Sequence, residues 1–490
     1  MIVLNGKNDD IDVKKNIEQE IQLERIAKIV EKNIHFVDED MPVYDGYDVP
    51  GIEEDIHIKE GVYINEGNRK DTSPKQKKES KNEKKVESDK EVSSTEQTVI
   101  NRVEKEPYYL KEVVGGEVLK RRYTTIELIM GIAVIAIICS SGIGVLGEMP
   151  AFLAFSKWNG ISFGDLGLPL LLASVCFMIP TEVELDVKKK KSFKEICIKK
   201  VKVGIILFVI GVLINLIGAW NFNSFRIMGI LQMIAVVYMV GSLLYVLFRR
   251  FNFKLSVIAV FLTAIGVVGL AGYYFASANF GDTAKNCLAY FVDSKVMPGH
   301  IGDFERYGIM STVSALCGGC LAMAAGSFLC NRRVENRDKS NKILIMGMFF
   351  VIIALLMERN CPYNASVMSP SFVMIVLGGY CVVFAALFGV FDLKRSKVSH
   401  IVSRPFVVMG ASPVFVVGIN EFLRNTLFKV NVYSVARGCR LRLDEWLVVD
   451  LLSAVFGSGS RMIGFLVIYI LLIFVLMLYL YSKKIYIRFK

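Results

Sequence analysis

From about residue 124 onward the chain repeats apolar runs of roughly 16 to 22 residues, parted by short polar loops. Each run is long enough, or nearly so, for a helix to cross about 30 Å of hydrocarbon. Lipid offers no partners to backbone N–H and C=O groups, so helices are the default solution. The runs are continuous rather than alternating, which excludes a β-barrel. We place about ten spans, at roughly 124–146, 164–181, 201–219, 227–248, 254–276, 308–330, 342–357, 370–391, 405–422 and 462–482. The stretch from Trp446 to Val455 is apolar but short, and reads as a re-entrant helix or part of an eleventh span. The expected fold is an all-α, polytopic membrane helix bundle occupying 123–483.

Two segments precede the bundle. Residues 1–66 read as a small cytoplasmic segment, with Ile17, Ile21, Ile26, Ile29 and Val30 on one face of a short amphipathic helix. Residues 67–122 are rich in Lys, Glu and Ser until about 105. Such a stretch cannot bury an apolar core and reads as a disordered linker. The opening MIVLNGKNDD has no basic segment, apolar core or cleavage site, so the N-terminus is expected in the cytoplasm.

The net charge of +11 is concentrated in particular loops, which argues for topology rather than for nucleic-acid binding. Lys188–Lys191, Lys194, Lys199 and Lys200 follow the second run; Arg249, Arg250 and Lys254 follow the fourth. Arg332, Arg333, Arg337, Lys339 and Lys342 follow the sixth, and Lys394, Arg395, Lys397 and Arg404 the eighth. These alternate loops are expected on the cytoplasmic face of a plasma membrane, together with both termini. The loop after the ninth run breaks the pattern, with Arg424, Arg437, Arg440 and Arg442 on the expected outer side.

Polar residues gather on that outer side. Trp158, Asn159, Gly160 and Asp165 lie in the first outer loop. Asp282, Asp293, His300, Asp303 and Glu305 lie in the largest, and Glu358, Arg359, Asn360 and Asn364 in a third. Asn420 and Glu421 end the ninth run. His300 is the one histidine of four expected there, and an imidazole suits a general base at neutral pH, or is a loop histidine after a Pro-Gly turn. Arg226 opens the fourth run against the helix dipole, so a carboxylate or ligand partner is expected. Gln232, nearly two turns deeper, needs a partner in lipid. Trp158 could stack on a sugar face or serve as an interfacial belt residue.

The ten cysteines are scattered, mostly within apolar runs, and imply no disulfide framework. Cys317-Gly-Gly-Cys320 has redox spacing, but small residues in an apolar helix more often serve close packing. No zinc spacing, HExxH or nucleophile elbow is present, so no metal is expected.

Several blocks, in order, resemble the heparan-α-glucosaminide N-acetyltransferase catalytic domain family and its bacterial relatives. They are Thr125-Ile-Glu127-Leu-Ile-Met130-Gly131; Trp158-Asn159-Gly160 with Asp165 and Pro169; and Arg226-Ile-Met-Gly229-Ile-Leu-Gln232. Two more run from Asp293 through Pro298-Gly299-His300 to Ser311-Thr312, and from Pro362-Tyr-Asn364 to Ser371-Phe372-Val373. The resemblance covers about 122–425. It implies an acyltransferase that takes an acetyl group from cytoplasmic acetyl-CoA and delivers it to an amino sugar or envelope glycan across the bilayer. A homodimer is compatible with this reading. The family histidine, three residues before the tryptophan, is Phe155 here, and Met130, Ala365 and Met368 also depart from the pattern. Phenylalanine can neither take a proton nor carry an acyl group. An active enzyme would then need direct transfer. His300 or Asp293 would be the base, and Asn159 or Arg226 a substrate or oxyanion ligand. Trp158, Asp165, Gln232 and Asn364 complete the retained set. The alternative implied by Phe155 is a catalytically silent relative that binds or moves a glycan or lipid-linked sugar. A third option is a membrane-anchored scaffold whose work is done by the N-terminal segment.

Overall fold

In the computed structural model, residues 111–114, 117–120, 123–144, 149–219, 225–301, 306–331, 334–394, 396–435, 437–457 and 460–483 are described. The amphipathic helix expected near residues 17–30, and the Lys/Glu-rich stretch to about 105, lie outside them. Within the segment read as linker, β1 (Lys111–Val114) and β2 (Glu117–Lys120) form an antiparallel hairpin, with Val113 opposite Val118. β-branched valines favour such pairing, and the charge-rich composition of the longer segment hid it.

The rest is helical. In order come α1 (Thr124–Ser140), α2 (Phe163–Lys188), α3 (Phe193–Ala219), α4 (Ile230–Arg250) and α5 (Leu255–Ser277). Then follow α6 (Leu288–Val296), α7 (Ile309–Ser327), α8 (Asn336–Met357), α9 (Pro370–Phe388), α10 (Lys397–Gly410) and α11 (Pro413–Asn425). A second hairpin, β3 (Asn431–Ser434) with β4 (Cys439–Arg442), precedes α12 (Arg461–Ser482). Gly438 turns that hairpin at φ +65, a left-handed conformation that glycine adopts without strain.

Among the described residues eight helices are long and apolar enough to cross a membrane, and nine if α10 and α11, bent by 57° at Ala411-Ser412, count as one broken span. This is compatible with a multi-pass membrane protein. It is below the ten runs read from the sequence because α1 stops early. The Ser140 hydroxyl donates to the carbonyls of Ala136 and Ile137, and that of Ser141 to Ile138, while Gly142 and Gly144 take positive φ. The stretch near Trp446 is helical from Leu443 to Ala454, passing from α through π to 3-10 turns, and is shorter than a span.

Helices α2 and α7 form the centre, with 83% of their apolar windows buried, against 22–28% for α3, α5 and α8. The outer helices expose large apolar side chains such as Val260, Val268, Leu356 and Leu472. Exposed apolar surface of this extent needs an apolar surrounding. Glycines bring neighbours close. A methyl on Gly131 would collide with the Phe406 backbone, and one on Gly410 with the Glu127 carbonyl, so α1 and α10 touch backbone to backbone.

Two carboxylates cap helices from outside them, and a third ties the loop after α1. Asp392 accepts the N–H groups of Thr124 and Thr125 at the start of α1. Asp293, on α6, accepts the Ile309 N–H at 2.9 Å at the start of α7. Asp444 accepts the Gly144 N–H and the Arg442 guanidinium. At the starts of α1 and α7 the negative charge satisfies orphan N–H donors and complements the helix dipole.

At the far end of α2, Glu182, Glu184 and Asp186 are buried, so the helix runs past the 181 boundary expected from hydropathy. Lys200 of α3, itself buried, donates to Glu182 at 2.6 Å and to the Tyr238 hydroxyl of α4 at 2.8 Å. Arg249 pairs with Glu184, and Lys191 and Lys199 with Asp186. This lysine-rich end and the Asp165 end are about 25 Å apart along α2.

Candidate functional site

The loop between α1 and α2 is held by two sets of contacts. In the first, the Trp158 indole N–H donates to Asp282 Oδ1 at 3.0 Å and the Asn159 amide donates to Asp282 Oδ2 at 2.9 Å. Asn364 Nδ2 donates back to Asn159 Oδ1 at 3.2 Å, and the Gly160 N–H donates to the Tyr363 carbonyl at 2.8 Å. Asn364 is buried and its Oδ1 accepts the N–H groups of Ser366 and Val367, forming the turn that leads into α9. Gly160, at φ +118, makes the close approach between the two loops. Trp158, Asn159 and Asn364 therefore form one hydrogen-bonded clasp joining three loops.

In the second set, Asp165 closes a capping box at the start of α2: its Oδ2 accepts from the N–H groups of Ser156 and Ser162 and from the Ser162 hydroxyl. Its Oδ1 takes the Arg306 guanidinium at 3.3 Å. That guanidinium lies 3.9 Å from the centre of the Phe155 ring. Residue 155 is thus a stacking surface for a cation that a buried carboxylate holds in place.

These residues wall a cavity of about 40 Å³, room for a few water centres. Its floor is apolar, from Ile137, Leu168 and Ile230. Its polar side comes from Ser140 and Ser141 at the end of α1, Asp165 and Arg306, Tyr307, and Glu421 with Arg424 on α11. Glu421 Oε2 pairs with Arg424 Nη2 at 2.5 Å, one helical turn apart. Burial pushes the Tyr307 hydroxyl up to about 12, so at neutral pH it is a neutral phenol. The charges felt there are those of Arg306, Glu421, Arg424 and Arg226, which places Arg226 within electrostatic reach of the cavity wall.

The remaining residues singled out from the sequence are placed elsewhere. The half-buried His300 donates Nδ1–H to the Phe225 carbonyl at 2.9 Å, which fixes its tautomer, and its ring packs edge-on against the Phe225 ring. Asp293 caps α7, as described. Neither side chain lines the cavity. The Gln232 amide is buried between Gly211 and Gly229, and its Nε2 has no hydrogen-bond partner among the described residues. Among the described residues no group of three or more His, Cys, Asp or Glu could hold a metal ion. All ten cysteines are free; Cys317 and Cys320 are buried in α7, and Cys439 is the exposed one, on β4.

Sequence reasoning passed over Arg306 and Tyr307, which belong to no motif. Glu421 and Arg424 were visible as polar residues at a span end, and their i, i+3 spacing was the available sign of a pair. No family model matches this chain, and no curated protein matches it.

Proposed function

We propose that this is a polytopic membrane protein of about ten crossings, counting α1 and the bent α10–α11 pair, with both termini and the lysine-rich end in the cytoplasm of a plasma membrane. We further propose that it is an acyltransferase-like protein moving an acetyl group from acetyl-CoA to an amino sugar or envelope saccharide received at the opposite end. The single observation carrying this reading is the cavity at the α1–α2 loop. There, Phe155 and Asp165 of the loop that resembles the acyltransferase family meet Arg306, Glu421 and Arg424 around one cavity. Ionisable side chains inside a membrane bundle mark a substrate path by default.

The chemistry asks for a neutral acceptor amine, a proton acceptor and a donor for the developing oxyanion. Acetyl-CoA would supply the activated acyl group, and exposed Lys189, Lys190, Lys194 and Arg250 at the lysine-rich end suit its phosphates. At the cavity, Arg306 and Arg424 are the cationic donors. Asp165 holds Arg306 in place rather than meeting substrate, since the N–H groups of Ser156 and Ser162 and the Arg306 guanidinium occupy its carboxylate.

A second reading, a non-catalytic glycan binder, draws on Phe155 and on the engagement of His300 and Asp293 with backbone groups away from the cavity. Full-length protein in liposomes, given labelled acetyl-CoA and a panel of amino sugars, separates the two. Label appearing on an amino sugar is the expected outcome. Saccharide binding with no transfer to any acceptor would favour the binder.

A further inference from the structure

We propose that Glu421 is the residue that recognises the ligand of the cavity, taking a hydrogen bond from a neutral amine or hydroxyl group. Building on the saccharide reading above, it names the atom that reads the saccharide and the protonation state in which an amine is accepted. Glu421 is 5% exposed and lines the cavity. One carboxylate oxygen, Oε2, is engaged by Arg424. The other, Oε1, is buried with no hydrogen-bond partner among the described residues, as is Arg424 Nε. A buried carboxylate oxygen without a donor is costly, and the cavity is the place from which a donor can come.

The choice of a neutral donor follows from the surrounding charge. Facing Glu421 are Arg424 on its own helix, Arg306 and Tyr307 ahead of α7, and Asp165 on α2. Lys429, after α11, stands within electrostatic reach of Glu421, and Arg226, ahead of α4, within reach of Tyr307 and Lys429; Arg442, held by Asp444, also acts on Lys429. Three cations, Arg306, Arg424 and Lys429, thus stand around the two carboxylates of Asp165 and Glu421, with Arg226 acting on Tyr307 and Lys429. An excess of positive charge disfavours an ammonium ion and favours the free amine. The small volume admits one functional group and its carbon, not a whole sugar ring, so the saccharide inserts an edge.

The test uses full-length protein in nanodiscs and two probes, glucosamine and glucose, with binding measured by calorimetry from pH 6 to pH 9. Glucosamine affinity is expected to rise with pH as its amine, with an ordinary pKa of about 8, loses its proton. Glucose affinity is expected to stay flat. Glu421→Gln is expected to weaken both by about tenfold or more, the loss of a hydrogen bond to a charged group. Glu421→Asp should recover part of the affinity, and thermal melting of each variant checks that it folds. Unchanged binding by Glu421→Gln, no binding of either probe by the native protein, or tighter binding of glucosamine at pH 6 than at pH 9 would each overturn the proposal. The transfer assay separates this from the broader reading. Glu421-dependent binding without acetyl transfer removes the enzyme and keeps the recognition site. Transfer in liposomes with binding indifferent to Glu421 does the reverse.

Discussion

At the scale of the residue, Phe155 has a physical role that only the fold reveals. Its ring covers the Arg306 guanidinium, which Asp165 also holds through an ion pair. A leucine there would keep apolar cover but lack the negative ring face that attracts the cation. Phe155→Leu is therefore expected to lower stability by about 0.5–1 kcal/mol, read as a small fall in melting temperature in nanodiscs. No change would mean that the stack contributes nothing. Asp165, Asn364 and Asp293 were selected from the sequence as site residues, and in the fold each organises backbone. Asp165 closes a capping box, Asn364 a turn, and Asp293 the start of α7. A carboxylate or amide that caps looks the same in one dimension as one that binds substrate. The Asp165 role was within reach, since Ser162 stands three residues before it. The Asp293 role was not, since its partner Ile309 lies across a loop.

At the scale of the element, the helices were legible because hydropathy and length specify them, whereas their ends depend on partners remote in sequence. Helix α2 shows why. Three acidic residues would end an apolar span, yet the helix continues to Lys188 because α3 and α4 bring Lys200, Tyr238 and Arg249 to them. The Lys200–Glu182 pair ties α2 to α3, and both members are almost fully buried. Lys200→Met should cost about 3–5 kcal/mol, because it strands the Glu182 charge. The double change Lys200→Met with Glu182→Met should recover most of that loss. Thermal melts of the two variants decide the matter. Equal destabilisation by the single and double changes would show that the pair is not coupled.

At the scale of the whole molecule, an apolar helical bundle is legible in the sequence, with eight helices, or nine counting the bent pair, long and apolar enough to cross a membrane among the described residues. What it could not give is which helices lie at the centre. The most hydrophobic helix, α12, is peripheral, while the less apolar α2 and α7 are the most buried. In lipid, hydropathy reports contact with the chains of the bilayer, and close packing is reported by small residues instead. The arrangement of the thiols has a practical consequence. Eight of the ten cysteines are buried and Cys197 is half-buried, which leaves Cys439 on the β3–β4 hairpin as the open one. The native chain thus arrives with a built-in chemical flag on the hairpin that follows α11. A maleimide too polar to cross a bilayer is expected to mark Cys439 on intact cells, with Cys439→Ser as the blank. Labelling only after the cells are opened would turn the proposed orientation inside out.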